Sequence, residues 1–382
     1  MIIGILKEPS FESRVSLLAA EAASLIKNGI VIWVEKDAGL KAFCLDEDYA
    51  GAGAEVKSRT DIFDGADIVL GIHYSNIPFS LGNKVQAGIY KPIYNPEQVE
   101  NWAQNENTVF SLDMLPRTTR AQSMDVLSSQ SNIAGYKAAL LAASTYSRYF
   151  PMMMTAAGSV PPAKVLVLGA GVAGLQAVAT SRRLGAVVEV FDTRAAAKEE
   201  VLSLGAKFVE VEGAADDTKA GGYAVYQTAD FQQKQKQKIA ESIKKADVVI
   251  TTAQIFGKKA PVLVTEEMIA TMRAGSVIID MAAATGGNTE LTRDRETVVW
   301  NNITIIGDSN LAASMPSDAS KAYGRNLLSF LKMLISKDGK LEINLSDDIV
   351  KNACITHNGE IISPIIKNRI HGNAAQLHSQ QS

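Results

Sequence analysis

Residues 163–194, AKVLVLGAGVAGLQAVATSRRLGAVVEVFDTR, decide the fold. An apolar run at 164–168 leads into a glycine-rich turn, which opens an Ala-rich helical segment. Gly185 closes that segment, and a second apolar run ends on Asp192. Strand, turn, helix and strand in this order begin a doubly wound parallel sheet. Gly169 permits the tight turn, Gly171 removes a Cβ that would meet a pyrophosphate, and Gly174 lets the helix approach the strand. N–H groups at the helix start, at Val172 and Ala173, then face the phosphates with the positive end of the helix dipole. Asp192 is placed to accept hydrogen bonds from an adenosine ribose diol, with Thr193 and Arg194 beside it. A 2′-phosphate would meet like charge at Asp192, so the pattern favours NAD over NADP; Arg194 is the residue that would serve a phosphate instead.

Downstream, apolar runs at 207–211, 246–253, 275–282 and 303–310 read as further strands, with a helix around 265–272. Ligands of open α/β sheets sit at the carboxyl ends of strands. That makes Ala253, Gln254 and Asp280 cofactor-binding candidates, with loop capping as the alternative for Asp280; Gly286 and Gly287 are turn formers or ligand contacts. The polar stretch 213–238 reads as a mobile loop followed by a charged helix. Its Gly221-Gly222-Tyr223 step carries a ring able to close over a ligand.

Upstream, short apolar runs at 2–6, 30–35 and 66–72 alternate with amphipathic segments at 16–28 and 95–105, so a second parallel α/β sheet precedes the fingerprint. An Ala- and Leu-rich helix spans roughly 124–149 and stops before Pro151, and another long helix covers 320–335. The expected architecture is two Rossmann-like α/β domains with parallel sheets joined by long helices. The first is discontinuous, 1–136 plus 309–382; the second, 137–308, is the doubly wound NAD(H)-binding domain.

Composition sets outer limits. The chain has 382 residues, 47% hydrophobic and 21% charged, with a formal charge of -3. Length favours two cores, and the near-neutral charge gives no pull toward nucleic acid; the lysines of QQKQKQK, from Gln232, read as a solvated helix face. No run of about 18 apolar residues indicates a membrane span or a signal peptide, so the isolated chain is expected to be soluble. Cys44 and Cys354 are unpaired in spacing, and His73, His357, His371 and His378 are scattered, so no metal site is expected.

Arg117, Gln122, Asp125, Ser128, Ser129 and Asn132 form a second polar constellation. Steps of three from Gln122 through Asp125 to Ser128 put these near one helix face. Arginine donates, carboxylate accepts, and glutamine and serine do both, which suits an amide such as that of nicotinamide. A solvated helix face with an N-cap is the alternative.

RTTRAQSMDVLSSQSNIAGYKA from Arg117, VLGAGVAGLQA with VFDTR, GGYA, ITTAQIFGKKAP and NLAASMPSDASKAYGRNLL together resemble the NAD(H)-binding component, domain I, of proton-translocating transhydrogenases. The resemblance covers nearly the whole chain. It implies that Arg117, Gln122, Asp125 and Ser128 hold the nicotinamide end, with Gln122 nearest the second nucleotide. It also implies that Asp192 holds the ribose and that Tyr223 belongs to the mobile loop. It further implies a homodimer, peripheral on the cytoplasmic side of the inner membrane through membrane-spanning partner subunits that carry the NADP(H)-binding domain. Phe256 and Lys259, the stretch DMAAATGGN from Asp280, and NLAASMP at 310–316 depart from the family pattern.

The implied reaction is direct hydride exchange between NADH and NADP+, with Gln122, Arg117 and Asp125 as the catalytic set and no proton moved by a side chain. Alanine dehydrogenase is the enzyme rival, because GILKEPSFESRV with Lys7, Glu8 and Arg14 suits either family. That enzyme needs a lysine and a histidine in stretches that here read LGIHYSNIPF and QAGIYKPIYNP, where His73 and Lys91 fall out of pattern. A non-catalytic NAD(H)-sensing subunit is the rival from another class.

Overall fold

A computed structural model describes residues 1–74, 84–211 and 229–370 of the chain. Its contacts divide the chain into two units, Met1–Gln130 with Met315–Ser382, and Ser131–Ser314. The sequence reading drew these boundaries after residues 136 and 308.

The first unit holds an eight-stranded sheet. Six strands follow the chain: β1 (Ile2–Ile5), β2 (Val31–Glu35), β3 (Glu55–Lys57), β4 (Ile68–Leu70), β5 (Val85–Gly88) and β6 (Thr108–Ser111). They lie in the order 3-2-1-4-5-6, all parallel, which is the doubly wound arrangement of dinucleotide-binding folds. Two later strands, Cys354–His357 and Glu360–Ile361, extend the β6 edge in antiparallel fashion. Strands β4, β5 and β6 are buried along their whole length, as strands covered on both faces must be. One face packs against the helix Pro316–Leu334 through Tyr323, Leu327, Phe330, Leu331 and Leu334. That helix brings the chain back to this unit.

After the long helix the second unit forms a small hairpin, β7 (Met153–Thr155) and β8 (Gly158–Val160), which pairs with no other strand among the described residues. Its main sheet has seven strands: β9 (Lys164–Leu168), β10 (Val187–Phe191), β11 (Lys207–Phe208), β12 (Val248–Thr251), β13 (Val277–Asp280), β14 (Glu296–Trp300) and β15 (Ile303–Gly307). The order is β11-β10-β9-β12-β13-β15-β14, parallel except for the β14 edge. The order reverses between β9 and β12, which makes their carboxyl ends the ligand edge. The helix Val172–Arg183 and residues Ala138, Ala139, Ala142 and Tyr146 cover one face. Ile239 and Ile243, with Met268 and Ile269, cover the other.

The long helix runs Val126–Thr145, starting later and ending earlier than the composition suggested. Asp125 sets the start, since its carboxylate accepts the Ser128 N–H at 2.9 Å and so acts as an N-cap. No helix among the described residues is long and apolar enough to cross a membrane.

Candidate functional site

At the end of β9 the chain turns at Gly169 with φ +102°, the left-handed region that favours glycine. A Cβ on Gly169 would lie 2.6 Å from Thr252 Oγ1, and one on Gly174 would lie 1.8 Å from the Gly169 carbonyl oxygen. Both glycines are therefore demanded by packing, the turn against the end of β12 and the helix against the turn. Gly171 differs. Its φ is -72° and a Cβ there would meet nothing within 4 Å, so neither conformation nor packing asks for glycine. Gly171 is also the N-cap of Val172–Arg183, and no side chain caps that start. First-turn N–H groups, including those of Val172 and Ala173, are left for an outside acceptor beside open backbone, which fits a pyrophosphate.

Asp192 follows β10 with its side chain 8% exposed. Its carboxylate accepts from Ala170 N at 2.6 Å, from Arg194 N at 2.8 Å, and from Arg194 Nε and Nη2, each at 3.0 Å. Arg194 thus lies on the carboxylate that the sequence assigned to a ribose. A ribose diol would replace the guanidinium donors, while the Ala170 N–H keeps the carboxylate fixed at the fingerprint turn. Thr193 is half-buried between them.

The loops after β12 and β13 are tied to each other. Thr252 Oγ1 donates to the Gly169 carbonyl at 3.1 Å, joining the β12 end to the fingerprint turn. Asn288, fully buried, accepts from Ala253 N at 3.0 Å and donates to the carbonyls of Ala253 and Pro261, both at 2.8 Å. Gln254 donates to the Met281 carbonyl at 3.2 Å. Asp280 is fully buried and accepts from Ala282 N at 2.9 Å, Asn288 N at 2.6 Å and Thr292 Oγ1 at 2.6 Å. Of the two readings of Asp280, this geometry is loop capping. Gly286 and Gly287 both have positive φ and serve that same turn; the Lys259 side chain passes over Gly286, where a Cβ would lie 2.5 Å from Lys259 Cε. Two of the departures from the family pattern therefore meet each other. Sequence reading missed Thr252 and Asn288. The signal for Asn288 was a polar residue directly after a Gly-Gly turn.

In the first unit, Gln122 stands on a 3-10 turn, Thr119–Met124, and Asp125 breaks the chain before the long helix. Gln122, Asp125 and Ser128 thus do not share one helix face as their spacing suggested, because the Asp125 cap separates two helical segments. Ala121 and Met124 are buried and anchor the turn, while Arg117 and Gln122 are exposed. Ser128 Oγ donates to Asp125 Oδ2 at 2.6 Å. Its one proton being used there, Ser128 can only accept from a ligand, and arginine only donates. Tyr223 lies outside the described residues with the rest of 212–228, as do His371 and His378; the charged helix that follows is Ala229–Ile243.

The rest of the SSQSNIAG motif is structural. A Cβ on Gly135 would lie 2.1 Å from the Ala173 carbonyl, so the long helix touches the fingerprint helix backbone to backbone. Asn132 donates to Gln176 Oε1 at 3.3 Å on the same helix. Gln130 is buried; it accepts from Arg14 Nη1 at 2.8 Å and donates to the Ala319 carbonyl at 3.0 Å.

Arg14 belongs to a buried charge cluster. It grips Glu12 through Nε at 2.9 Å and Nη2 at 2.7 Å, and His73 Nε2 lies 2.8 Å from the same carboxylate. Burial opposes ionisation of Glu12, but the Arg14 and His73 hydrogen bonds outweigh it and hold the carboxyl well below the usual range. Burial pushes Glu8 the other way, up to about 8, against the N–H groups of Ile72 and His73. Among the described residues no group of three or more His, Cys, Asp or Glu side chains could hold a metal ion.

Comparison with known proteins gives a consistent result. The family described as Alanine dehydrogenase/PNT, N-terminal domain, matches residues 4–134, and Alanine dehydrogenase/PNT, C-terminal domain, matches 138–364. The NAD(P) transhydrogenase subunit alpha of Rickettsia prowazekii (strain Madrid E), in its first piece, is 43% identical over 376 residues, covering 96% of this chain and 97% of that protein. Alanine dehydrogenase of Staphylococcus haemolyticus (strain JCSC1435) is 28% identical over 351 residues, 88% of each chain. The crystal structure of transhydrogenase from Sinorhizobium meliloti superposes with a TM-score of 0.86 at 42% identity, over 95% of this chain and 100% of that one.

Proposed function

This chain belongs to the alanine dehydrogenase/PNT family, and from that premise we propose that it is the NAD(H)-binding subunit of a proton-translocating NAD(P) transhydrogenase. It carries out direct hydride transfer between NADH bound here and NADP+ bound on a partner subunit. The observation that carries this reading is the Asp125–Ser128 lock directly after the exposed Gln122, with Arg117 exposed earlier in the same segment. A donor-only arginine and an acceptor-only serine complement the carbonyl and NH2 of a carboxamide.

When bound, the nicotinamide supplies the hydride chemistry. The chain's own residues position and shield. Val172 and Ala173 N–H groups would receive the pyrophosphate, and Asp192 would take the ribose diol in place of Arg194. Arg117, Asp125 and Ser128 orient the carboxamide, and Gln122 reaches toward the incoming ring. Thr193, Ala253 and Gln254 line the strand ends, with Tyr223 proposed to close over the site. Asp280 supports these loops from below. Fixing two rings at near-attack distance converts a bimolecular step into a positioned one and excludes water, with no side-chain proton transfer required.

Alanine dehydrogenase chemistry fits this chain less well. Arg14 is committed to Glu12 and Gln130, and His73 to Glu12, so neither is presented to a small oxo acid as an anion receptor or an acid. A redox sensor would need the carboxamide grip but not Gln122.

The proposed assembly is the one that the resemblance to transhydrogenases implies. The chain acts as a homodimer on the cytoplasmic side of the inner membrane, held there by membrane-spanning subunits that move the protons and carry the NADP(H) domain. The β7–β8 hairpin supports a second copy as one partner, since an isolated two-stranded hairpin is marginal in water and this one leaves Met154 78% and the preceding Met152 60% exposed. The test mixes the purified chain with its membrane partner and follows NADPH-driven reduction of an NAD+ analogue. Exchange only in the mixture supports the reading; NADH binding and complex formation without exchange refutes it.

A further inference from the structure

The proposed role of Gln122, on which this inference rests, requires that the turn carrying it be held in place. The 3-10 turn Thr119–Met124 has the poorer hydrogen-bond geometry of its kind, and Gln122 and Ser123 stand exposed on it. Two contacts flank them. Arg120 donates through Nη1 to Asp347 Oδ2 at 2.8 Å and through Nη2 to Asp347 Oδ1 at 2.7 Å, and it also pairs with Asp348. Asp347 is itself anchored, because its Oδ1 caps the helix Asp348–Ala353 by accepting from Ile349 N at 2.9 Å. On the other flank, Asn326 of the helix Pro316–Leu334 donates through Nδ2 to the Ser123 carbonyl at 2.8 Å.

We propose that Arg120 and Asn326 are positioning residues for hydride transfer, clamping the Gln122 turn from both sides onto the C-terminal part of the first unit. The two clamps differ in kind. A fork of Arg120 on a carboxylate fixes direction as well as distance, yet it is more than half exposed and open to salt. Asn326 forms an exposed hydrogen bond too, but a neutral one that salt barely touches. Neither residue is among those assigned to the cofactor. Loss of a clamp loosens the Gln122 turn without removing any group assigned to hold NADH, so rate and affinity separate.

The test assembles wild type, Arg120→Ala, Arg120→Lys and Asn326→Ala with the membrane partner. It measures the NADH dissociation constant and the rate of NADPH-driven reduction of an NAD+ analogue at low and high salt, with thermal melting as a folding check. The expected result for Arg120→Ala is a rate about twofold to fivefold lower, the reach of a surface ion pair, with NADH affinity within about twofold. High salt should slow the wild type toward the variant and leave Arg120→Ala flat. Arg120→Lys, keeping charge but not the fork, should fall between. Asn326→Ala should lose up to about tenfold at either salt concentration. Unchanged rates in both alanine variants beside an active wild type overturn the proposal alone, and so do rate and affinity falling in step with the melting temperature. A wild-type complex that binds NADH and transfers nothing overturns the reading beneath it and the proposal together.

Discussion

Gly171→Ala and Gly174→Ala differ by three positions and should fail in opposite ways. At Gly174 the added methyl would lie 1.8 Å from the Gly169 carbonyl and 3.3 Å from Thr252 Oγ1. The first neighbour is backbone in a turn that itself packs on β12, so the fingerprint helix must back away. Overpacking of this kind costs about 1–3 kcal/mol, and in a unit of this size each kcal/mol lowers the melting temperature by about 2–4 °C. At Gly171 nothing lies within 4 Å and φ is -72°. The stiffer unfolded chain gains about 0.4–1 kcal/mol, offset by alanine's poorer N-cap preference, so the melting temperature should hold. The methyl would instead stand where the phosphates approach, and NADH affinity should fall at least about tenfold, or ~1.4 kcal/mol. Differential scanning calorimetry and an NADH fluorescence titration on both variants decide it. Wild-type NADH affinity in a folded Gly171→Ala would refute the account of the fingerprint.

Three further outcomes follow from the same geometry. Gln122→Asn, which shortens the reach and keeps the amide, should lower the exchange rate more than tenfold with NADH affinity nearly unchanged; weakened binding at an unchanged rate would remove Gln122 from its role. Glu8 has its carboxyl raised by burial from 4.5 to about 8, so between those values the folded chain binds the proton that the unfolded chain has lost. Stability attributable to Glu8 should therefore fall as pH rises through that window, by at most about 1.4 kcal/mol per pH unit, and denaturant titrations of Glu8→Gln should lack this slope. Met154→Ser with Met152→Ser should shift the chain from dimer toward monomer in sedimentation without loss of fold, whereas an unchanged dimer would place the interface elsewhere.

The sequence made the fingerprint legible because each glycine answers to a local rule. Positive φ at Gly169, close approach at Gly174 and open backbone at Gly171 all follow from strand-turn-helix geometry. Strand pairing at a distance was harder to read. Residues 153–160 form the β7–β8 hairpin, and Cys354–His357 extends the first sheet from the far end of the chain. Such pairings have no local period to announce them. Polar residues were legible as functional candidates but not by role. Asp280 and Asn288 are loop fasteners, and Asp125 is a cap that cuts one expected helix into two segments. Asp192 is already satisfied by Ala170 and Arg194. A carboxylate's type shows in the sequence; the donors that fill its lone pairs come from the tertiary fold.

Direct transfer is the central claim, and isotope transfer tests it most directly. NADH carrying deuterium at the transferable position of C4 is given to the assembled complex with NADP+, and the NADPH formed is analysed by mass spectrometry. The account predicts that the deuterium passes into NADPH with none lost to water, because no side chain handles a proton at the reacting carbons. NADPH formed with solvent hydrogen, and the label found in water, would contradict it.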